Sequence, residues 1–312
     1  MADMAKTGTP FVALADWGTS NFRLWLVDGD GVVLGERQSA DGMSACAKDN
    51  RFAAVLEEHL EALSAPLDLP VVIAGMAGAR AGWLEAPYVE TPTALSGLHL
   101  RTVSPKATRP IHILPGVCQI NTGPFDVMRG EETQLAGVVA GGIASGVICM
   151  PGTHCKWVDL EGGVVQRFRT VMTGELFDLI AKQSILRLSM PQDGLTQTDE
   201  AVFIEAVTEA LGNNFSLTTS LFSIRAAGLL STPGPQDAAS RLSGLLIGAE
   251  IAGMRDWVNA GKTVHIVGSK SLSALYAKAI TLAGGTASSL DGSALVRTGL
   301  FAAAQALFQT AE

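Results

Sequence analysis

FVALADWGTSNFRLWLVDGDGVVLGERQ (Phe11–Gln38) reads as three strands joined by tight turns. The strands are Val12–Ala15, Phe22–Val27 and Val32–Arg37. Parallel strands need a crossover of a dozen or more residues, and these connections are far shorter, so the three pair antiparallel. In the second strand Asn21, Arg23 and Trp25 face one way, and Phe22, Leu24 and Leu26 the other. Arg51–Leu63 follows with helical periodicity. Val71–Gly75 is then a short all-apolar run, the kind buried in a parallel sheet. The order is β-β-β-α-β. GVICMPGTHCKWVDLEGGVVQRFRTV (Gly146–Val171) repeats the strand–turn–strand–turn–strand pattern with little residue identity.

Between the copies, residues 78–124 are irregular, with one strand at Ile111–Leu114, and Glu131–Ala140 is a short helix. After the second copy come helices at Gly174–Ser189, Asp199–Leu211, Leu217–Leu230 and Ala238–Ala260. A buried strand at Val264–Val267, a helix at Leu272–Ala283 and a final helix at Ser293–Gln309 complete the chain. Ser231–Gln236 (STPGPQ) is a break. A pattern that occurs twice implies a duplicated two-domain α/β fold around a cleft, not a solenoid. The expected domains are 8–130 and 131–312, with the final helix able to pack back on the first.

The chain has 312 residues, 47% of them hydrophobic and 17% charged, which suits a large core. A net charge of −8 with no basic stripe argues against a nucleic-acid partner. The N-terminal MADMAKTGTP reads as a loose tail without a signal-peptide pattern. The Gly-broken stretch Leu135–Met150 is no membrane span. Cys46, Cys118, Cys149 and Cys155 lack zinc-pair spacing and are expected to stay reduced in the cytoplasm.

Four segments carry chemistry. In ADWGTSNFR, Asp16 ends a buried strand at the mouth of the Gly18-Thr19-Ser20 turn. Such a turn can cradle phosphate oxygens, and the aspartate can hold Mg²⁺. Arg23 adds charge on the same rim; the plain alternative is an ordinary hairpin. In MPGTHCKW, Gly152 and Thr153 make the equivalent turn, flanked by His154 and Lys156. Zinc or nucleophile roles for His154 and Cys155 lack further ligands or partners. In MRGEETQLAG, Glu131 and Glu132 begin a helix whose dipole favours ionised acids. Successive side chains diverge by about a hundred degrees, so at most one of them enters a given site. In HIVGSKSLS, Gly268-Ser269 ends a buried strand before a helix, a common place for ligand approach.

The order of these segments resembles the superfamily of sugar kinases and actin-like ATPases. DWGTSNFRLWL, VVIAGMAGARAGW, LPGVC, VMRGEETQLAG, CMPGTHCKW, FRTVMTGEL, LSGLLIGAEI and GSKSL look like the 2-dehydro-3-deoxygalactonokinase family over nearly the whole chain. The resemblance implies two ribonuclease-H-like (actin-like ATPase) domains and ATP- and Mg²⁺-dependent phosphorylation of the 6-hydroxyl of a 2-keto-3-deoxy sugar acid, in galactonate breakdown.

In the related glycerol- and xylulose-kinase branch a Gly-Asp at this helix start supplies the base. Gly130-Glu131 stands there, making Glu131 the expected base and Asp16 the metal-side acid. Asp16, Gly18, Thr19, Ser20, Arg23, Gly152, Thr153, His154, Lys156, Gly268 and Ser269 are the expected nucleotide contacts. Ser44, Gly75, Met76, Arg80, Arg169 and Glu175 are the substrate candidates, with Arg80 and Arg169 eligible for the acid's carboxylate. A homodimer is compatible with this reading. The alternatives are another sugar or sugar-acid kinase, a phosphohydrolase, or a non-catalytic ATP-binding module, because the fold alone fixes no acceptor.

Overall fold

Alternation along the first strand, Val12–Trp17, sorts its side chains onto two cores. Ala13, Ala15 and Trp17 join Phe22, Leu24, Phe52, Leu56 and Leu60 in one buried cluster. Val12 and Leu14 join Trp25, Val27, Val72 and Ala74 in another, with Val296, Leu300 and Ala304 from the final helix. A sheet covered on both faces explains why these strands read as near-continuous apolar runs. Asp16 belongs by period two to the Val12–Leu14 face, at the strand's end.

The computed structural model describes residues 8–192, 197–231 and 234–309. Residues 1–7 of the expected tail, and Thr232 and Pro233 of the expected break, lie outside that set. Two units are present. The first draws on Met1–Ser145, Leu160–Phe168 and Gly292–Glu312, the second on Gly146–Asp159 and Arg169–Asp291.

In the first unit a five-stranded sheet runs in the order Val33–Ser39, Phe22–Val27, Val12–Trp17, Val71–Gly75, Ile111–Ile113. The first three strands are antiparallel, and the last two run parallel to the central one. The helix Phe52–Ala62 covers one face. The irregular stretch after Val71–Gly75 contains a small sheet that its two- and three-residue strands hide from periodicity: Val89–Glu90, Val117–Gln119 and Asp126–Met128.

The helix Glu131–Ala140 also belongs to the first unit, whereas the sequence division opens the second domain with it. The reason is backbone-close packing against the final helix, Gly292–Phe308. A Cβ on Gly137 would stand 2.0 Å from the Leu295 carbonyl, and one on Gly299 1.9 Å from the Thr133 carbonyl. Only glycines allow that approach.

In the second unit Gly146–Met150 pairs parallel with Val264–Gly268, which pairs parallel with Ala287–Asp291. This last strand is absent from the sequence reading; ASSLD is small and polar and shows no apolar alternation. The long helix runs Pro235–Gly253, and Arg255–Val258 is a separate turn. The helix expected to reach Ser189 ends at Gln183. There Ser184 turns extended, and its Oγ accepts from the Leu186 N–H to start a 3₁₀ turn. No described helix is long and apolar enough to cross a membrane.

Candidate active site

The first unit builds an acidic corner from three strand and helix ends. Asp16 sits opposite Arg23 in the antiparallel register and beside Ala74 in the parallel one. Arg23 Nη2 and Nε both donate to Asp16 Oδ2, at 2.6 and 3.2 Å. Among the described residues Asp16 Oδ1 accepts no hydrogen bond. It faces Gly75, where an added Cβ would come within 3.6 Å of it and 2.6 Å of the Trp17 carbonyl. Gly75 has φ 91°, and Gly130, at the start of the Glu131 helix, has φ 108°. A Cβ on Gly130 would lie 3.6 Å from Gly75 Cα. Two bare glycines thus bring Asp16 and the start of the Glu131 helix into one place, in backbone conformations that other residues rarely adopt.

The two glutamates separate as their helical positions require. Glu131 is half-buried, and its Oε2 accepts from the Arg129 N–H at 3.0 Å. Glu132 is fully buried; both its oxygens accept from the Gly130 N–H, at 2.9 and 2.8 Å, and Thr133 Oγ1 donates to Oε1. Burial first, and the neighbouring Glu131 charge second, push its carboxyl up to about 8. Glu132 is therefore neutral and sealed at pH 7, unlike a base that must meet a substrate proton.

This shift has a signed consequence. The folded protein keeps the Glu132 proton up to about pH 8, while the unfolded chain releases it near 4.5. Stability from this group is full below about pH 4.5 and is lost as pH rises toward 8, on the order of 5 kcal/mol in all. Melting curves of wild type and Glu132→Gln at pH 5 and pH 8 should show a smaller alkaline loss in the variant. Burial pushes the His59, His112 and His265 rings down from 6.5, giving the opposite slope. They are common to both proteins, so the difference isolates Glu132. Equal losses would refute the assignment.

The Gly18–Ser20 turn is braced by Met43 and Ser44, whose N–H groups donate to the Gly18 and Thr19 carbonyls at 2.9 and 3.0 Å. That fixes the turn and leaves the Thr19 and Ser20 N–H groups without a partner among the described residues. Beside it, Asp16, Gly18, Asn21, Arg23, Gln38 and Ser39 line an open recess of about 580 Å³. Arg80, expected near the substrate, points away: its side chain is 91% exposed and pairs with Glu85. Met76 is half-buried in the 3₁₀ turn after Gly75.

The second unit holds the other turn. The Glu175 N–H donates to the Thr153 carbonyl at 2.9 Å, and His154 Nε2 meets Glu175 Oε2 at 2.5 Å. Gly174 abuts the Gly152 carbonyl, 2.3 Å from where its Cβ would stand. Glu175 thus braces the turn. Lys156 is buried and donates to Thr170 Oγ1 at 2.7 Å, a strand-to-strand tie. Arg169 is exposed. Gly268 lies against Pro151 and Ser273, and Ser269 stands at the N-terminal boundary of the helix Lys270–Leu282 without a side-chain capping bond.

A pocket of about 340 Å³ opens beside Gly152 and is lined by Thr173, Gly174, Gln197, Ser243, Ile247, Leu272, Leu275 and Tyr276 among others. Mostly apolar walls with a few polar groups suit a flat aromatic ligand. Its floor is tied down by the buried Glu250, which accepts from Trp157, Thr173 and Tyr276. Cys149, Cys155 and Glu250 converge there. The carboxylate is already engaged by three donors, and burial pushes both thiols up, so the cluster reads as packing. Sequence reasoning missed this pocket because its walls come from elements far apart in the chain.

A model of the 2-keto-3-deoxy-galactonokinase family matches residues 16–303. The chain belongs to the 2-keto-3-deoxy-galactonokinase family. A probable 2-dehydro-3-deoxygalactonokinase of Rhizobium meliloti (strain 1021) is 46% identical over 304 residues, 97% of this chain and 99% of the relative. The 2-dehydro-3-deoxygalactonokinase of Escherichia coli (strain K12) is 36% identical over 292 residues, 94% and 97% of the two chains. A crystal structure of a putative 2-dehydro-3-deoxygalactonokinase from Sinorhizobium meliloti superposes with a TM-score of 0.90, covering 96% of this chain and all of that one. The expected α/β fold is thereby borne out for this 2-keto-3-deoxy-galactonokinase family member.

Proposed function

We propose that this chain phosphorylates 2-dehydro-3-deoxygalactonate at its 6-hydroxyl, using ATP and Mg²⁺. The observation that carries the reading is the corner of the first unit: a half-buried Glu131 opening a helix, joined to Asp16 through Gly75 and Gly130. Family membership and the names of the two relatives supply the substrate.

Each unit contributes its own groups. In the second, the pocket beside Gly152 takes the nucleoside, and on this reading Gly268 and Ser269 flank the nucleoside and the N–H groups of Gly152 and Thr153 serve the phosphates. In the first, Thr19 and Ser20 offer N–H groups for phosphate oxygens, and Arg23 neutralises developing charge. Asp16 Oδ1 is the oxygen that fits a hard cation. Mg²⁺ bound there would offset phosphate charge. Glu131, at a helix N-terminus where the dipole favours negative charge, takes the proton of the attacking hydroxyl.

Coupled ADP release with 2-dehydro-3-deoxygalactonate, its gluco epimer and neutral hexoses tests this. The acid is expected to stimulate turnover over the sugar-free rate. Stimulation by neutral hexoses alone, or by nothing, would overturn the substrate assignment.

A further inference from the structure

Arg129 enters the interior of the first unit with two of its nitrogens unmatched. Its Nη2 donates to the Ala86 carbonyl at 2.8 Å, and the guanidinium carbon sits 4.3 Å from the centre of the Tyr88 ring. Nε and Nη1 are buried and have no hydrogen-bond partner among the described residues. A Cβ on Gly78 would approach Nη1 to 2.8 Å, so the backbone following Gly75 closes tightly over the group. A guanidinium stays charged at any pH at which a protein folds, so these donors cannot be silenced by losing a proton. Buried donors normally find acceptors, and here the described chain supplies none. The Arg129 backbone N–H, meanwhile, holds the Glu131 carboxylate.

We propose that Arg129 binds the carboxylate of the sugar acid, donating through the nitrogens the chain leaves unmatched. This rests on the sugar-acid reading above. A six-carbon acid has its carboxylate and its terminal hydroxyl at opposite ends. An anchor two residues from Glu131 holds one end while Glu131 meets the other. Arg80 is exposed and paired with Glu85, and Arg169 is exposed in the second unit, so neither offers a desolvated cation. Nε and Nη1 are covered by the segment that carries Gly78, Ala86 and Tyr88. One hydrogen bond and one ring contact hold that segment to the guanidinium, and it shifts to admit the carboxylate. Trp83, stacked on Phe52 in the same segment, reports the shift.

The test compares wild type, Arg129→Met and Arg129→Lys in steady-state assays with the sugar acid and with its neutral amide. KM for ATP and Tm are followed in parallel. Loss of a charge-assisted contact predicts a rise in sugar-acid KM of roughly 30- to 100-fold in Arg129→Met and about tenfold in Arg129→Lys. KM for ATP and Tm should hold, and Arg129→Met should no longer prefer the acid to the amide. The sugar acid alone should change tryptophan fluorescence in wild type and fail to do so in Arg129→Met. An unchanged sugar-acid KM in either variant overturns the proposal. So does a parallel fall in Tm and ATP affinity in Arg129→Lys, which would mark a clamp for the Tyr88 segment. If Arg129→Met does not fold, Arg129→Lys decides. A wild type inactive on the acid would sink the function as well; an active wild type with unaffected variants sinks this inference alone.

Discussion

Glu131→Gln is expected to lower kcat by about 10²- to 10⁴-fold, the usual contribution of a positioned base. Glutamine keeps the size of the side chain and an oxygen for the Arg129 N–H, which donates to Glu131 at 3.0 Å. It cannot take a proton. Affinity for ATP should hold, because the pocket assigned to the nucleoside lies in the second unit. The control is Glu132→Gln, one residue along and fully buried. Its turnover should stay close to wild type, since a carboxyl pushed up to about 8 is already neutral in the working range. Equal losses in the two variants would mean that helix integrity, not proton transfer, was being measured. A Glu131→Gln enzyme with near-normal kcat would remove Glu131 from the mechanism.

Gly299→Ala should cost about 3 kcal/mol or more, in the upper range of overpacking effects. The added methyl would stand 1.9 Å from the Thr133 carbonyl and 3.0 Å from the Gly137 nitrogen. Both belong to a helix backbone and cannot turn aside as a side chain can. Alanine's better helix propensity returns at most about 1 kcal/mol, so the clash wins. A fall in Tm of roughly 4–8 °C or more follows from that difference. The helices must part, and the one that moves carries Glu131. Turnover should therefore drop further than ATP affinity does. A Tm within about 2 °C of wild type would show that the helices can separate at little cost.

Much of the architecture was legible because its signals are local. The hairpin Val12–Val27, the strand Val71–Gly75 and the helix Glu131–Ala140 follow from period and turn chemistry within a few residues. The strand Ala287–Asp291 was not, because its side chains are small and polar and its place is set by pairing with Val264–Gly268. The candidate site divides in the same way. Asp16, Gly75 and Glu131 stand at element ends that the pattern marks. Lys156 and Glu175 carry tempting chemistry, yet the structure spends both on internal ties. Arg129 had a visible cue, an arginine directly before Gly130-Glu131, but its burial depends on Ala86 and Tyr88, some forty residues earlier in the chain. The pocket beside Gly152 gathers Gln197, Ser243 and Tyr276 from elements whose convergence no window of sequence reveals.

The helix Gly292–Phe308 belongs with strands that begin at Val12. During synthesis at about 5–20 residues per second, on the order of ten seconds or more separates the emergence of Ala140 from that of Phe308. Throughout that interval the face made by Val12, Leu14, Trp25 and Val72 waits on the ribosome without its cover. The part of the molecule that is translated first is completed last. A nascent chain interrupted before residue 292 would present a sticky half-sheet to chaperones and proteases, and the enzyme's yield in a cell depends on how well that wait is guarded.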